Sequence, residues 1–216
     1  MSKEVVPSAS VTIQFDGARC IHSRNCVLSR PDVFVPNVKG AWIHPERATA
    51  DEVLELAHNC PSGAIRCTLP DGSALEKAPV VNTVHVRENG PLAFHAPLSI
   101  AGADDGFRAT LCRCGASKNK PYCDQSHASA GFVATGEPAI AASEALAQRD
   151  GTLTIDPTHN GPLHVSGALE VVTGTGKTIN RVTDTWLCRC GQSQNKPYCD
   201  GSHVRVGFQS DNPPAA

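Results

Sequence analysis

The stretch that decides the fold is "LCRCGASKNKPYCDQSH", residues 111 to 127, which returns as "LCRCGQSQNKPYCDGSH" at residues 187 to 203. Fourteen of the seventeen positions are identical in the two copies. Each copy holds three cysteines and one histidine in the order Cys-x-Cys-x8-Cys-x3-His. Thiolates and imidazoles are the side chains that bind zinc and iron–sulfur centres. The repeat therefore predicts two similar metal sites in one chain.

The repetition extends beyond the motif on both sides. Each unit opens with a short alternating pattern, "VHVRENGPL" or "LTIDPTHNGPL", which predicts a strand followed by a turn. Each unit ends with "GF", Gly131-Phe132 or Gly207-Phe208, at the same distance from the motif histidine. We therefore predict two equivalent units over residues 80–132 and 151–208.

The segments around these units are expected to be linkers. "PDGSALEKAP" (70–79) precedes the first unit, and "ATGEPAIAASEALAQRDG" (134–151) joins the two, with one helical turn or two. The second unit is five residues longer than the first between its turn and its motif, and we assign the surplus to a loop near "GTGKTIN" (174–180). The tail "QSDNPPAA" (209–216) is expected to be disordered.

Local geometry brings the four candidate ligands of each copy together. In an extended strand, residues i and i+2 point to the same side, so Cys112 and Cys114 can bind one metal atom. Asp124 occupies the position where an N-cap would begin a helix, and His127 would lie in the first turn of that helix. This turn would hold Cys123 and His127 side by side, and the second copy repeats the arrangement.

Two kinds of metal centre suit this ligand set on coordination number alone. Structural zinc would take three thiolates and one imidazole tetrahedrally, and a [2Fe-2S] cluster would take two ligands on each iron. Structural zinc sites usually separate paired ligands by two to four residues, so the one-residue gap favours the cluster. Disulfides are a third use for ten cysteines, but without a secretion signal we expect a reducing compartment, where clustered thiols more often bind metal.

Both strings resemble the CDGSH iron–sulfur domain, the NEET family. The second, "CRCGQSQNKPYCDGSH", matches the family pattern throughout, and the first departs from it at Gln125, where the family has glycine. The resemblance implies a [2Fe-2S] cluster in each unit. The implied ligands are Cys112, Cys114, Cys123 and His127 in the first unit and Cys188, Cys190, Cys199 and His203 in the second.

The same resemblance implies an architecture. Family members with a single motif form two-fold homodimers with interlocked strands, so two motifs in one chain imply an internal pseudo-dimer. With the opening segment described below, the expected fold class is α+β, a small ferredoxin-like domain followed by two β-rich CDGSH units. The Gln125 side chain would lie beside the first cluster, so we expect Gln125→Gly to slow cluster loss there.

One histidine among the ligands would change the redox chemistry. A neutral imidazole in place of a thiolate removes a negative charge, so the potential should lie between all-cysteine and two-histidine clusters. Reduction should raise the proton affinity of the imidazole, and a protonated imidazole cannot bind iron. Four cations in the motifs could either offset cluster charge or be solvated surface charges: Arg113, Arg189, Lys120 and Lys196.

The opening segment, residues 1–70, carries cysteines of its own. "CIHSRNC" places Cys20 and Cys26 five residues apart, and "CPSGAIRC" begins at Cys60. Thr49 and Glu52 form a capping-box pattern before an apolar helical run, and Cys60 would lie at the end of that helix.

This segment resembles the divergent single-cluster ferredoxins, in which Cys-x5-Cys and a distant Cys-Pro hold one iron–sulfur cluster. The implied ligands are Cys20, Cys26 and Cys60. Four-iron relatives have a further ligand midway between the first two cysteines, where this chain has Ser23. Three cysteines alone favour [3Fe-4S], whereas His22 or Cys67 could complete a [4Fe-4S] site, and the sequence leaves both open.

Composition excludes several classes of function. A formal charge of −2 and a pI near 6.5 give no basic field for nucleic acid. No apolar run has the length of a membrane helix, and we expect a cytoplasmic location. No catalytic constellation can be found, so we expect no enzyme. The sequence predicts electron or cluster transfer to a redox partner or an apo iron–sulfur acceptor; the alternative is a zinc-stabilised interaction module.

Overall fold

Short strands connected by long loops dominate the computed structural model, which describes residues 3–211. The protein is mixed α+β, strand-rich with few and short helices, as the predicted class requires. The chain divides between Lys77 and Ala78 into two compact units, each with its own buried core. From here on, the first unit is the one that holds the opening segment, and the second unit is the one that holds both sequence repeats. The division falls within the predicted linker 70–79.

The first unit combines a small sheet with helices. Its three strands are antiparallel in the order β1-β2-β3. The strands are β1 Lys3–Pro7, β2 Thr12–Asp16 and β3 Ile65–Thr68. The helices are α1 Asn25–Ser29, a 3-10 turn Pro45–Arg47 and α2 Ala50–His58. Phe34, Val53 and Leu56 are buried in the core of this unit with Ile13 and Ile65 of the sheet.

The capping box predicted for α2 is confirmed. Thr49 Oγ1 accepts a hydrogen bond from the Glu52 amide, and the Glu52 carboxylate accepts one from the Thr49 amide at 2.8 Å. Cys60 follows Asn59, the C-cap residue of the helix, and its amide donates to the Ala57 carbonyl at 3.0 Å. The helix therefore ends two residues before the cysteine that the sequence marks as a ligand.

The second unit is built on one large sheet. Its strands run in the order β7-β6-β9-β10-β4-β5-β8, and β11 pairs with β10. The bounds are β4 Thr83–Val86, β5 Leu92–His95, β6 Leu98–Ile100, β7 Ala103–Asp104, β8 Arg108–Leu111, β9 Leu153–Pro157, β10 Leu163–Val172 and β11 Thr178–Leu187. Two short helices complete the unit, α3 Ser126–Ser129 and α4 Ser202–Arg205.

Strands of the two sequence repeats are mixed within this sheet, where β9 and β10 of the second repeat lie between β6 and β4 of the first. From the first repeat, β6 pairs in parallel with β9, with Ser99 opposite Thr154. From the second repeat, β10 pairs in parallel with β4, with Glu170 opposite Thr83. One offset of 71 residues (154 minus 83, and 170 minus 99) converts one pair into the other. One strand of each repeat, β6 or β10, therefore pairs with a strand of the other repeat, and the two pairs have equivalent registers.

The segment 134–151 forms no helix, contrary to the helical turns expected of it. Its backbone instead runs along the sheet, where the Asn82 amide donates to the Arg149 carbonyl at 2.7 Å. The Ala141 amide donates to Ile179 of β11 at 2.9 Å. Hydrogen bonds to strands that are distant in sequence replace those that a helix would have made internally.

The loop expected near residues 174–180 is shorter than predicted. Thr173 and Lys177 close a tight turn through a 2.9 Å hydrogen bond, and the chain enters β11 at Thr178. β10 and β11 thus form one long hairpin, whose first pair is Val172 opposite Thr178. The extra residues of the second repeat lengthen strands as well as the turn.

At the end of the chain, part of the expected disordered tail is anchored. Gln209 and Ser210 hydrogen-bond to Asn160, and the Asn160 amide donates to Ser210 Oγ at 2.9 Å. The remainder of that prediction, residues 212–216, lies outside the described residues. Between residues 3 and 211, every helix is too short or too polar to cross a bilayer.

Candidate metal centres

The first two cysteines of each motif leave the sheet as a pair. β8 ends at Leu111 and β11 at Leu187, one residue before the motif begins. Cys112 Sγ and Cys114 Sγ lie 3.7 Å apart, and the second copy has the same separation. Two sulfurs bound to one tetrahedral metal at about 2.3 Å would lie about 3.8 Å apart. Each pair therefore has the spacing of two ligands on a single metal atom.

The third cysteine and the histidine form another pair. Cys123 Sγ lies 3.5 Å from His127 Nδ1, and Cys199 Sγ lies 3.4 Å from His203 Nδ1. The two residues are held together by the first turn of α3 or α4. This half of each site thus also offers one sulfur and one nitrogen at the distance of two ligands on one atom.

Across residues 3–211, no three metal-ligating side chains converge on a point that a single ion could occupy. Each set of four ligands is arranged as two separate pairs, sulfur with sulfur and sulfur with nitrogen. A [2Fe-2S] cluster takes two protein ligands on each iron, whereas a structural zinc ion takes four on one atom. The arrangement fits the two-metal centre.

Asp124 and Asp200 stabilise the loops that carry the ligands, but not as the N-caps that the sequence predicts. The N-cap residues are Gln125 and Gly201, one position later, both in the left-handed region. Asp124 accepts from the Lys118 amide at 2.8 Å and the Ser126 amide at 3.0 Å. The carboxylate therefore links the start of the motif loop to the helix that carries the histidine.

Backbone amides point at the ligand sulfurs in both copies. In the first, Ala116 donates to Cys114 Sγ and Gln125 donates to Cys123 Sγ, each at 3.4 Å. In the second, Gln192 and Gly201 make the equivalent bonds at 3.4 Å. Such bonds stabilise thiolates over thiols. They offset part of the effect of burial, which raises the pKa of Cys123 to about 11.

The ionisation of the paired thiols is asymmetric. The hydrogen bond from Cys114 lowers the pKa of Cys112 to about 6, against the effect of burial. The same bond raises the pKa of Cys114, and the second copy shows the same contrast, with the pKa of Cys188 lowered to about 6. Burial lowers the pKa of His127, which favours the neutral imidazole that metals bind.

Arg113 and Arg189 are buried structural residues, so the alternative that they are solvated surface charges is wrong. Arg113 is 1% exposed, and its guanidinium donates to the carbonyls of Gly90, Arg87 and Thr135. It also lies over the Phe132 ring at 5.4 Å. Arg189 repeats this with the Gly161 and Thr158 carbonyls and the Phe208 ring.

These arginines explain why the repeat extends beyond the motif. The "NGPL" turn supplies the carbonyl acceptor and the "GF" end supplies the aromatic ring, so both are conserved between the copies as partners of the motif arginine. Burial lowers the pKa of Arg113 to about 10, while the charges of Cys188, Glu88 and Cys114 act in the opposite direction. The matching features could have suggested this role from the sequence.

Lys120 and Lys196 close the motif loops. Lys120 Nζ donates to the Ser117 carbonyl at 2.6 Å, and Lys196 makes the matching bond to Ser193. Ser117 Oγ in turn donates to the Tyr122 carbonyl at 2.6 Å. The lysines thus have a structural partner within their own loop.

A cavity of about 660 Å³ in the first unit collects the remaining predicted ligands. Cys20, Cys26 and Cys60 all line it, although they come from a loop, from α1 and from the segment that follows α2. The Asn25 side chain donates to the Asn59 carbonyl at 2.8 Å and so ties α1 to the end of α2. Three thiols spaced around an open cavity fit a cluster better than a single ion.

The electrostatics agree that these three thiols are neighbours. Burial raises the pKa of Cys20, and the charge of Cys60 raises it further. Burial likewise raises the pKa of Cys26, with contributions from the charges of Cys60 and Cys20. A bound cation would remove this mutual repulsion between thiolates.

The candidates for a fourth ligand differ in position. His22 and Ser23 line the cavity, and the His22 amide donates to Cys20 Sγ at 3.4 Å. Cys67 lies in β3, where it is buried in the core opposite Ile13, and it is not among the residues that line the cavity. Of the three, His22 and Ser23 are thus placed beside the cysteines.

Comparison with known proteins agrees with both predicted resemblances. The family model described as the iron-binding zinc finger of CDGSH type matches residues 65–128 and 160–204, which together make up half of the chain. The model of the divergent 4Fe-4S mono-cluster domain matches residues 7–70. No curated protein matches the chain. The matched regions contain all eleven predicted ligands.

Proposed function

Because the chain belongs to the CDGSH-type family of iron-binding proteins, we propose that it is an electron carrier with three iron–sulfur centres. Two would be [2Fe-2S] clusters in the repeats, and one would be a [3Fe-4S] or [4Fe-4S] cluster in the first unit. Its partner would be a redox protein. No catalytic group is assigned, and the proposal includes no enzymatic activity.

The observation that carries this proposal is the pairing of the ligands. Cys112 with Cys114, and Cys123 with His127, each have the spacing of two ligands on one metal atom. A tetrahedral zinc site would instead require all four donors around one centre. Because no three metal-ligating side chains converge on one point within residues 3–211, the geometry supports the alternative of a zinc-stabilised interaction module less well.

An iron–sulfur cluster, when bound, supplies reversible one-electron transfer. The protein's part is to hold the ligands and exclude water. Cys112 and Cys188 are each 1% exposed, and Cys123 is also buried. The amides of Ala116 and Gln125 donate to the ligand sulfurs and balance part of their negative charge. Buried ligands with hydrogen-bonded sulfurs favour an electron carrier that retains its clusters over a protein that transfers them.

Cluster delivery to an apo acceptor is the second candidate, because one side of each site is more open. His127 and His203 are only half-buried, whereas Cys112 and Cys188, at the opposite end of each site, are buried. A ligand that water can reach is the natural point at which a cluster would detach.

For the first unit, we propose His22 rather than Cys67 as the residue that could complete a four-ligand site. His22 lines the cavity with the three cysteines, whereas Cys67 lies in the core. His22→Ala should convert a [4Fe-4S] signal into that of a three-iron centre or release iron, whereas Cys67→Ala should leave the iron content unchanged. An unchanged spectrum for His22→Ala would contradict this assignment.

We also infer that the repeats form an internal pseudo-dimer. The support is the reciprocal exchange of β6 and β10, whose pairs with β9 and β4 are related by one sequence offset. A two-fold arrangement of this kind would place the two sites in equivalent environments.

Two experiments test the electron-carrier proposal. His203→Cys should lower the potential of the second site, because a fourth thiolate adds negative charge; a redox titration followed by electron paramagnetic resonance measures this, with His164→Cys as the control.

Rapid reduction by a reductase supports the carrier, while passage of clusters to an apo-ferredoxin supports delivery. A chain that does neither would contradict both.

A further inference from the structure

The two metal-binding loops touch each other through a pair of glycines. Gly115 follows Cys114 and Gly191 follows Cys190, and each packs against the backbone of the other repeat. A β-carbon added at Gly115 would lie 2.7 Å from the carbonyl oxygen of Cys190. A β-carbon added at Gly191 would lie 2.6 Å from the carbonyl oxygen of Cys114. The contact is therefore reciprocal and falls directly on a predicted ligand in each direction.

Two separate constraints require glycine at these positions. The backbone is left-handed at both, with φ of +83° at Gly115 and +81° at Gly191, which disfavours any residue with a side chain. The second constraint is steric and does not depend on φ. Real β-carbons do not approach a backbone carbonyl as closely as 2.6–2.7 Å. A substitution would have to move the main chain of a cysteine in the opposite repeat.

Charge interactions cross the same boundary. The buried guanidinium of Arg113, in the first repeat, is attracted by Cys188 of the second. Arg189, in the second repeat, is attracted by Cys112 of the first. Electrostatic interactions thus connect each motif arginine with a predicted ligand of the other repeat.

We propose that Gly115 and Gly191 are positioning residues that couple the two metal sites, so that each repeat's loop holds a ligand of the other in place. The inference rests on the proposed metal binding in both repeats, but not on which metal is bound. Its consequence is that a change in the loop of one repeat alters the rate at which the other repeat's site loses metal.

The test is to change one repeat and measure metal release from the other. Cys123→Ser removes a ligand of the first site, so that the second becomes the occupied repeat site. In this background, Gly115→Ala should speed release from the second site about tenfold, within the range of overpacking costs. The residue changed and the site measured then belong to different repeats.

Gly102→Ala is the matched control. Gly102 also lies in the first repeat and has φ of +79°, but a β-carbon there meets no atom within 4 Å. The control carries the same left-handed strain without the contact to Cys190. Release is followed by visible absorbance and by chelation of iron, with the contribution of the first unit measured in a chain bearing both Cys123→Ser and Cys199→Ser.

Faster release in Gly115→Ala than in Gly102→Ala supports the coupling, and equal rates overturn it. If Gly115→Ala does not fold by circular dichroism, Cys199→Ser decides: faster release from the first site supports coupling, and an unchanged rate overturns it. If the purified chain holds zinc in place of iron, the proposed function fails, but zinc release in the same variants still tests the coupling.

Discussion

Gln125 is the one departure of the first motif from the glycine found at Gly201 in the second. Gln125 adopts φ of +70° and Gly201 φ of +81°, so the backbone is left-handed in both copies. A β-carbon at the equivalent Gly201 would meet no atom within 4 Å, so we assign the cost of a side chain at this position to the backbone conformation. The left-handed backbone thus gives a second reason, besides crowding by the side chain, to expect that Gln125→Gly slows cluster loss.

Gln125→Gly should therefore stabilise the second unit by about 0.5–1 kcal/mol, less than the full left-handed penalty because glycine also loosens the unfolded chain. Urea unfolding and the rate of metal loss from the first site measure the effect. The reverse change, Gly201→Gln, should destabilise by a similar amount. Equal stabilities for both variants and the native chain would contradict the backbone explanation.

Arg113 illustrates a residue whose role depends on its partners. Arg113→Lys would remove the planar group that donates to the Gly90 carbonyl and stacks on Phe132. We expect a loss of about 2–3 kcal/mol in the free energy of unfolding, since buried carbonyls lose their donors. Arg205→Lys, on an exposed arginine, should change it by less than about 0.5 kcal/mol. Equal losses of unfolding free energy in Arg113→Lys and Arg205→Lys would show that the buried guanidinium of Arg113 contributes little to stability.

Single residues also show what the sequence could predict. The spacing of Cys112, Cys114, Cys123 and His127 gives the paired ligands, because strand and helix geometry act over a few positions. The burial of Arg113 follows from no local pattern, since its carbonyl partners lie more than twenty residues away, and the matching turns and "GF" ends of the two repeats are its one sequence signal. The glycine after Cys114 is visible in the sequence, but the cysteine it packs against belongs to another repeat.

Among the elements, β10 carries a buried charge that anchors the linker. Glu170 accepts from Arg149 at 2.8 Å and from Thr178 at 3.0 Å, and its side chain is 4% exposed. Burial acts to raise the pKa of Glu170, but these hydrogen bonds and the charges of Arg149 and Arg181 outweigh it, so the pKa lies below its ordinary value. The carboxylate therefore stabilises the fold in its ionised form.

The sign of the pH dependence follows from this. A carboxyl with a lowered pKa in the folded chain contributes stability above its unfolded pKa, about 4.3, and loses it as the pH falls. Glu170→Gln should cost about 2 kcal/mol at pH 7, and its difference from the native chain should shrink as the pH falls below about 4. Urea unfolding across this range, with metal content matched, measures it. A difference that stays constant with pH would contradict the role of the charge.

Elements were predictable where their signals are local. The capping box of Thr49 and Glu52 forms as expected because both partners lie in one turn. The path of residues 134–151 was not predictable, because its backbone bonds to Asn82 and Ile179 outweigh a weak helical preference. For the same reason, the hairpin at Thr178 extends into the segment assigned to a loop.

For the molecule as a whole, the sequence repeat predicts two equivalent sites, and the sheet shows how the repeats are interlinked. The exchange of β6 and β10 depends on pairing between distant segments, which no local pattern encodes. The pseudo-dimer is implied by the family resemblance and by no local pattern in the sequence. The contact between Gly115 and Gly191 loops gives this architecture a testable consequence for metal retention.

The most direct test of the account is the content of iron, sulfide and zinc, with the visible spectrum, in protein purified without oxygen. We expect visible charge-transfer bands and about eight irons per chain for two [2Fe-2S] centres and a [4Fe-4S] cluster, or about seven with a [3Fe-4S] cluster. A colourless protein with two zincs per chain would contradict the account and leave the repeats as structural modules.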